Sequence, residues 1–222
     1  MVVLEAFWQA LAATLGPRLN WALLVFPAIV VGFTVHEYAH AWMAVRLGDP
    51  TPRWQGRLTL NPLRHLDPIG TIMVFVAFVG WAKPVEWRPA NLRGVSYRMG
   101  TLLVAAVGPL SNLLLAVVGA LLLRSLLTLG VLRPGSGFLD PVDLLATFVV
   151  FNALLFVFNF LPLPPLDGFA VLRSLAPSSW YTALTVLEQY GTLILIVLLF
   201  WPGSPLGRFI SSILGALLRF LL

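Results

Sequence analysis

Long apolar stretches alternate with short polar ones along this chain. Residues 2–15 read as a short helix, too short to span a bilayer comfortably. Residues 19–46, bracketed by Arg18 and Arg46, predict a first long helix; at about 1.5 Å per residue it can cross a hydrocarbon core of roughly 30 Å. A polar, Pro-rich stretch follows over 47–67. Residues 68–82, PIGTIMVFVAFVGWA, are apolar but short, with Gly near both ends and many β-branched positions. That predicts a re-entrant or β-hairpin-like element rather than a crossing helix. Residues 83–98 are polar again. Residues 99–123 carry no charge and predict a second span ending at Arg124. Residues 144–166 predict a third, broken near its end by Pro162, Pro164 and Pro165. Residues 183–201 fit a fourth, and 205–222 an apolar C-terminal helix that either spans or lies in the interface. The expected fold is an all-α polytopic membrane protein with four to six membrane helices. It forms one membrane-embedded domain over 1–222, with a core at about 19–176 and C-terminal helices at about 182–222.

Composition agrees. Of 222 residues, 59% are hydrophobic and 10% charged, against about 25% charged in soluble domains; mean hydropathy is +0.91. The net charge of +5 reports topology and lipid headgroups in such a chain, so no nucleic-acid partner is expected. With no cysteine, disulfides, iron–sulfur clusters and thiolate ligands are excluded. The first residues lack a basic leader region, so no cleaved signal peptide is expected. Segments 46–66 and 83–98 each hold four Lys or Arg, whereas the loop after the second span has only Arg124 and Arg133. If 68–82 dips in and returns, all eight basic residues share one face, which the positive-inside tendency makes cytoplasmic, in the cell membrane.

The first span carries the chemistry. His36 and His40 are four residues apart and share a helix face; Glu37 sits about 100° round. H-E-x-x-H on a helix is the zinc-hydrolase arrangement, two imidazoles on Zn²⁺ and a glutamate as base. Three polar groups within a membrane helix cost several kcal/mol and mark a site. A histidine pair bonding a neighbouring helix, or a haem ligand pair, are the competing readings; the spacing suits one small ion better. A catalytic zinc needs a third protein ligand. Among nine acids and three histidines, the serious choices are His65, Asp67 and Asp167. Asp167 is favoured: it follows the three prolines, where freed backbone at membrane depth needs cover. His40 lies six residues before Arg46 and Asp167 six before Arg173, so the two sets reach similar depth if 68–82 does not cross. A helix cap or Asx-turn is the other reading of Asp167.

These residues resemble the site-2 protease family of intramembrane zinc proteases, in its small subgroup. HEYAH at 36–40, GPLSN at 108–112, and Asn159-Phe-Leu-Pro162 running on to Asp167-Gly168 match its motifs, and NPLRHLDPIG at 61–70 looks like the small bacterial and archaeal subgroup. The resemblance implies a three-helix transmembrane core, zinc on His36, His40 and Asp167, and Glu37 as catalytic base. It implies substrates that are membrane-spanning segments, cut within the bilayer, for regulated proteolysis or signal-peptide clearance. The 83–98 loop leaves no room for a PDZ domain, and there is no CBS extension. Three further residues are candidates for substrate or oxyanion contact. Asn112 could bond the substrate carbonyl or tie helices together, Gly108 permitting close approach. His65 could donate to bound peptide, ligate zinc transiently or simply bond its loop, and Asn159 stabilises the broken helix or touches substrate. An extended edge at 57–60 or 72–79 could pair with unwound substrate. The lipid bilayer is the other partner, and oligomeric state is left open. The rival class is a membrane zinc carrier or sensor, for which Glu37 has no task.

Overall fold

The computed structural model describes residues 2–77, 80–135 and 139–222. Its regular secondary structure is helical, and no strand is present among the described residues. The first helix, α1 (Val2–Arg46), runs unbroken through Pro17 and Pro27, so the short helix expected at 2–15 is its N-terminal part. Gly16-Pro17 reads as a stop, but one proline removes a single intrahelical bond and the helix continues past it. From Asn20 to Arg46 it is apolar and long enough to cross a membrane. The short α2 (Thr51–Trp54) leads to α3 (Pro68–Ala77). Then come α4 (Tyr97–Thr128), α5 (Pro141–Asn159), α6 (Asp167–Leu175), α7 (Tyr181–Phe200) and α8 (Pro205–Leu221). The stretches Tyr97–Thr128, Pro141–Asn159 and Ser178–Phe200 complete four candidate spans. The chain is a polytopic all-α membrane protein.

The β-hairpin-like alternative for 68–82 is overturned over its described part: 68–77 is helical, and 57–60 is irregular. Residues 78–79 lie outside the described residues. A short apolar segment at membrane depth satisfies its own backbone bonds as a helix, whatever its β-branched content. At about 1.5 Å per residue, ten residues cover about 15 Å, half a hydrocarbon core. The chain then returns. Lys83 N–H donates to the His65 carbonyl at 2.7 Å, and Leu66 and Ala82 form an isolated antiparallel bridge. The entry and exit of α3 are therefore side by side, and the element is re-entrant. Glycines at both ends allow this. A Cβ on Gly70 would lie 2.1 Å from the Trp81 carbonyl oxygen, and one on Gly80 2.1 Å from Val74 Cγ2.

Helices α1, α4 and α5 form the centre. Val25, Ile29 and Phe33 of α1 pack with Val74 of α3 and Leu155 of α5. Ala116 and Ala120 of α4 meet Val149 and Ala153 of α5, and Leu221 of α8 closes that layer. Small residues bring the backbones close, as membrane helices require when no hydrophobic effect drives them together. Thus α8 lies along α4 and α5 rather than apart from the bundle. On the basic face, fully buried Asp49 ties the end of α1 to the loop before α4. It accepts from the Arg88 N–H at 2.6 Å, Thr51 Oγ1 at 2.6 Å and Asn91 Nδ2 at 2.8 Å. Burial pushes its pKa up, but these donors outweigh burial and hold it below the usual carboxylate range.

Candidate metal centre

The site forms where the last turns of α1 cross the first third of α4, and the start of α6 enters from below. His36 and His40 face α4 and are each 7% exposed. They fit because α4 carries Gly108 there: a Cβ at 108 would sit 2.2 Å from His40 Nε2 and 2.9 Å from His36 Cε1. After α5 ends at Asn159, the Pro-rich turn leads to Asp167, the first residue of α6. Gly168 seats this turn under α5, since a Cβ there would meet the Phe160 and Leu161 carbonyl oxygens at 2.3 and 2.4 Å.

Three ligand atoms converge. His36 Nε2 and His40 Nε2 are 3.1 Å apart, and Asp167 Oδ2 lies 3.1 and 3.2 Å from them. Ligands held at about 2.0–2.1 Å in a tetrahedron are about 3.3–3.4 Å apart, so the triangle fits a zinc ion. The partners behind the two imidazoles set their tautomers. His36 Nδ1 is 2.7 Å from Asn112 Oδ1 and His40 Nδ1 2.7 Å from the Val104 carbonyl. Both partners are acceptors, so each Nδ1 carries the proton and each Nε2 turns a lone pair to the common point. Asp167 Oδ2, buried, has no hydrogen-bond donor. Two lone pairs and a carboxylate oxygen face one another, an arrangement that a cation satisfies.

Glu37, 8% exposed, lies beside this triangle with Oε2 accepting from the Val85 N–H at 3.0 Å. No partner among the described residues occupies Oε1. The returning segment after α3 therefore covers the glutamate, an arrangement that spacing along the sequence does not announce.

The remaining candidates are placed as follows. Asn112 is fully buried; besides accepting from His36, its Nδ2 donates to the Gly32 carbonyl and to Asn152 Oδ1, each at 3.1 Å. Both its amide atoms are engaged between α1, α4 and α5, which is the helix-tying arrangement. His65 is outside the triangle. Its Nε2 is 2.7 Å from the Thr59 carbonyl and it is fully buried, which lowers its pKa. A neutral ring that donates from Nε2 has only a lone pair at Nδ1, so it cannot donate to a peptide from there. Asn159 Nδ2 donates to the Leu155 carbonyl at 3.0 Å, closing the last turn of α5. Asp67 Oδ1 accepts from the Gly70 N–H at 2.7 Å, capping α3. Sequence reasoning passed over Asn152, fully buried and bonded to the Phe148 carbonyl at 2.9 Å. An amide in an uncharged span was the available signal, the same one that singled out Asn112. Replacing Asn112 with leucine frees His36 to rotate. Zinc affinity should fall about 10- to 100-fold, the usual cost of losing such a partner, as read by competition with a chromogenic chelator.

Similarity to known proteins points the same way. Relatives named "Putative zinc metalloprotease" include two from different bacteria. YwhC of Bacillus subtilis (strain 168) is 42% identical over 184 residues, 82% of this chain and 81% of that protein. Rip2 of Mycobacterium tuberculosis (strain ATCC 25618 / H37Rv) is 33% identical over 187 residues, 80% and 68% of the two chains. "Protease RseP" of Yersinia pestis is 28% identical over 137 residues, 57% of this chain and 30% of that one. No family model and no solved structure matches the chain. The metal is zinc. A histidine–aspartate triangle within a polytopic bundle, and this degree of likeness over most of both chains, lead to one conclusion: the chain belongs to the site-2 protease family.

Proposed function

We propose that this protein is an intramembrane zinc endopeptidase that hydrolyses peptide bonds within or near transmembrane segments of other membrane proteins. The observation that carries this reading is the glutamate held beside the triangle. Glu37 touches no ligand atom, yet it is buried and its carboxylate is fixed by Val85. A carrier or sensor needs the triangle and has no task for it.

Zinc, when bound, supplies Lewis-acid polarisation of a peptide carbonyl and lowers the pKa of water towards about 7. His36, His40 and Asp167 would hold it as its three protein ligands. Glu37 Oε1 takes the proton that water loses as its oxygen joins the carbonyl carbon. Glu37 then gives that proton to the amide nitrogen as the C–N bond breaks, so the products are a carboxylic acid and an amine. Asn112 and the Val104 carbonyl keep both imidazoles aimed throughout. A helical substrate cannot react, because its carbonyls are already bonded along the helix; it must unwind locally.

The site lies close to the basic face, since His40 is six residues from Arg46. That face is the cytoplasmic one in our reading, in the cell membrane. Glu37→Gln tests the proposal. Single-pass proteins or their membrane stubs should accumulate several-fold in membranes containing the variant, by quantitative proteomics, while the purified variant retains one zinc per chain. Identical membrane proteomes in the two strains would rule the activity out.

A further inference from the structure

Arg57 is an unusual residue for its place. It is only 5% exposed, and no carboxylate lies within ion-pair distance of it among the described residues. Its guanidinium spends itself on two backbone carbonyls instead. Nη1 donates to the Arg64 carbonyl and Nη2 to the Pro84 carbonyl, the latter at 3.1 Å. Burying a cation on neutral acceptors alone is costly, so the position needs a reason.

The second carbonyl supplies one. The Pro84 oxygen and the Val85 N–H belong to the same peptide unit. Arg57 grips its oxygen end, and Glu37 Oε2 accepts from its N–H end at 3.0 Å. The order is guanidinium, carbonyl, amide N–H, carboxylate. In such a chain each bond polarises the next, and the amide becomes a stronger donor to the anion. Pro84 has no N–H of its own, so within this dipeptide the Val85 N–H is the one backbone donor available to Glu37. The other arm, on Arg64, anchors the assembly to the segment that enters α3, where the Lys83 N–H to His65 carbonyl bond joins entry and exit.

We propose that Arg57 is a positioning residue for the catalytic base: through the Pro84–Val85 peptide it holds the Glu37 carboxylate in one orientation beside the metal triangle. This rests on the protease reading for its functional consequence but not for the contact itself. Lysine carries its donors on a single nitrogen and lacks the planar fork that puts Nη1 and Nη2 on separate carbonyls, so Arg57→Lys should restore only part of what Arg57→Gln loses.

The test uses the zinc-loaded full chain in detergent. Amide hydrogen exchange at Val85 is followed by mass spectrometry in wild type, Arg57→Gln and Arg57→Lys. Cleavage is followed on a fluorescent transmembrane peptide that the wild type cuts. Losing a charge-assisted bond corresponds to about a 10- to 100-fold effect. Arg57→Gln should speed Val85 exchange and lower kcat by that factor, with KM and zinc content within about twofold. Val85→Pro removes the N–H itself. The double variant should then be no slower than Val85→Pro alone, because both changes break one chain. Unchanged Val85 exchange in zinc-bound Arg57→Gln overturns the proposal, as do effects of Arg57→Gln and Val85→Pro that multiply. If Arg57→Gln does not fold, Arg57→Lys decides by the same criteria at smaller amplitude. If the wild type cuts no membrane peptide, the protease reading fails, while the exchange measurement still judges the contact.

Discussion

Asp167→Ala should leave the bundle folded and its metal lost. Asp167 is the one anion in the triangle, so removing it takes away both a ligand and the charge that offsets a dication in a poorly solvated site. Two imidazoles held by α1 cannot close a tetrahedron alone. Zinc affinity should fall by more than the roughly 100-fold upper cost of losing a hydrogen-bond partner behind a ligand. Cleavage should fall below detection. Elemental analysis of protein purified at defined free zinc checks this. The variant should hold well under one ion per chain at concentrations that saturate the wild type. Unchanged metal content would remove Asp167 from the site. Folding is judged separately, by retention time on size exclusion and by helical circular dichroism.

Gly108→Ala should match that loss without replacing a ligand. The added methyl would stand 2.2 Å from His40 Nε2 and 2.4 Å from its Cε1. Relief comes from a rotation of His40 or a retreat of α4. Rotation breaks the Nδ1 bond to the Val104 carbonyl, and retreat carries Val104 and Asn112 away together. A misplacement of about 1 Å is worth on the order of 10²-fold in such sites, and zinc affinity and cleavage should both drop by at least about that factor. Gly119→Ala on the same helix is the control. Its Cβ would meet Phe148 and Val149 side chains at 3.0 and 3.1 Å, far from the histidines, so metal content should be kept. Equal zinc in Gly108→Ala and wild type would show that the site has slack the structure does not have.

Both results hang on features that differed in how plainly the sequence announced them. His36 and His40 were legible because helical spacing alone puts them on one face, and an apolar span makes them conspicuous. Asp167 was legible by scarcity, since the chain has nine acids and one of them follows a run of prolines at matching depth. The re-entrant path of 68–82 followed from its shortness and its end glycines, but its internal structure did not. Glycines and β-branched residues suggested extended backbone, whereas the glycines serve close contacts at Trp81 and Val74, and α3 is helical. Arg57 and Val85 were illegible for a different reason. Their roles depend on two backbone groups of one peptide unit, placed by a return of the chain, and no side-chain pattern encodes that.

The converging lone pairs have a cost that outlasts catalysis. With Asn112 and Val104 fixing both imidazole tautomers, Asp167 Oδ2 is pressed towards two electron-rich nitrogens at 3.1 and 3.2 Å. An ion that binds only the folded bundle stabilises it by thermodynamic linkage, about 1.4 kcal/mol for each tenfold rise of free ion above the dissociation constant. Zinc should therefore reinforce the join between α1 and α6, and the fraction of folded chain should rise with the free ion.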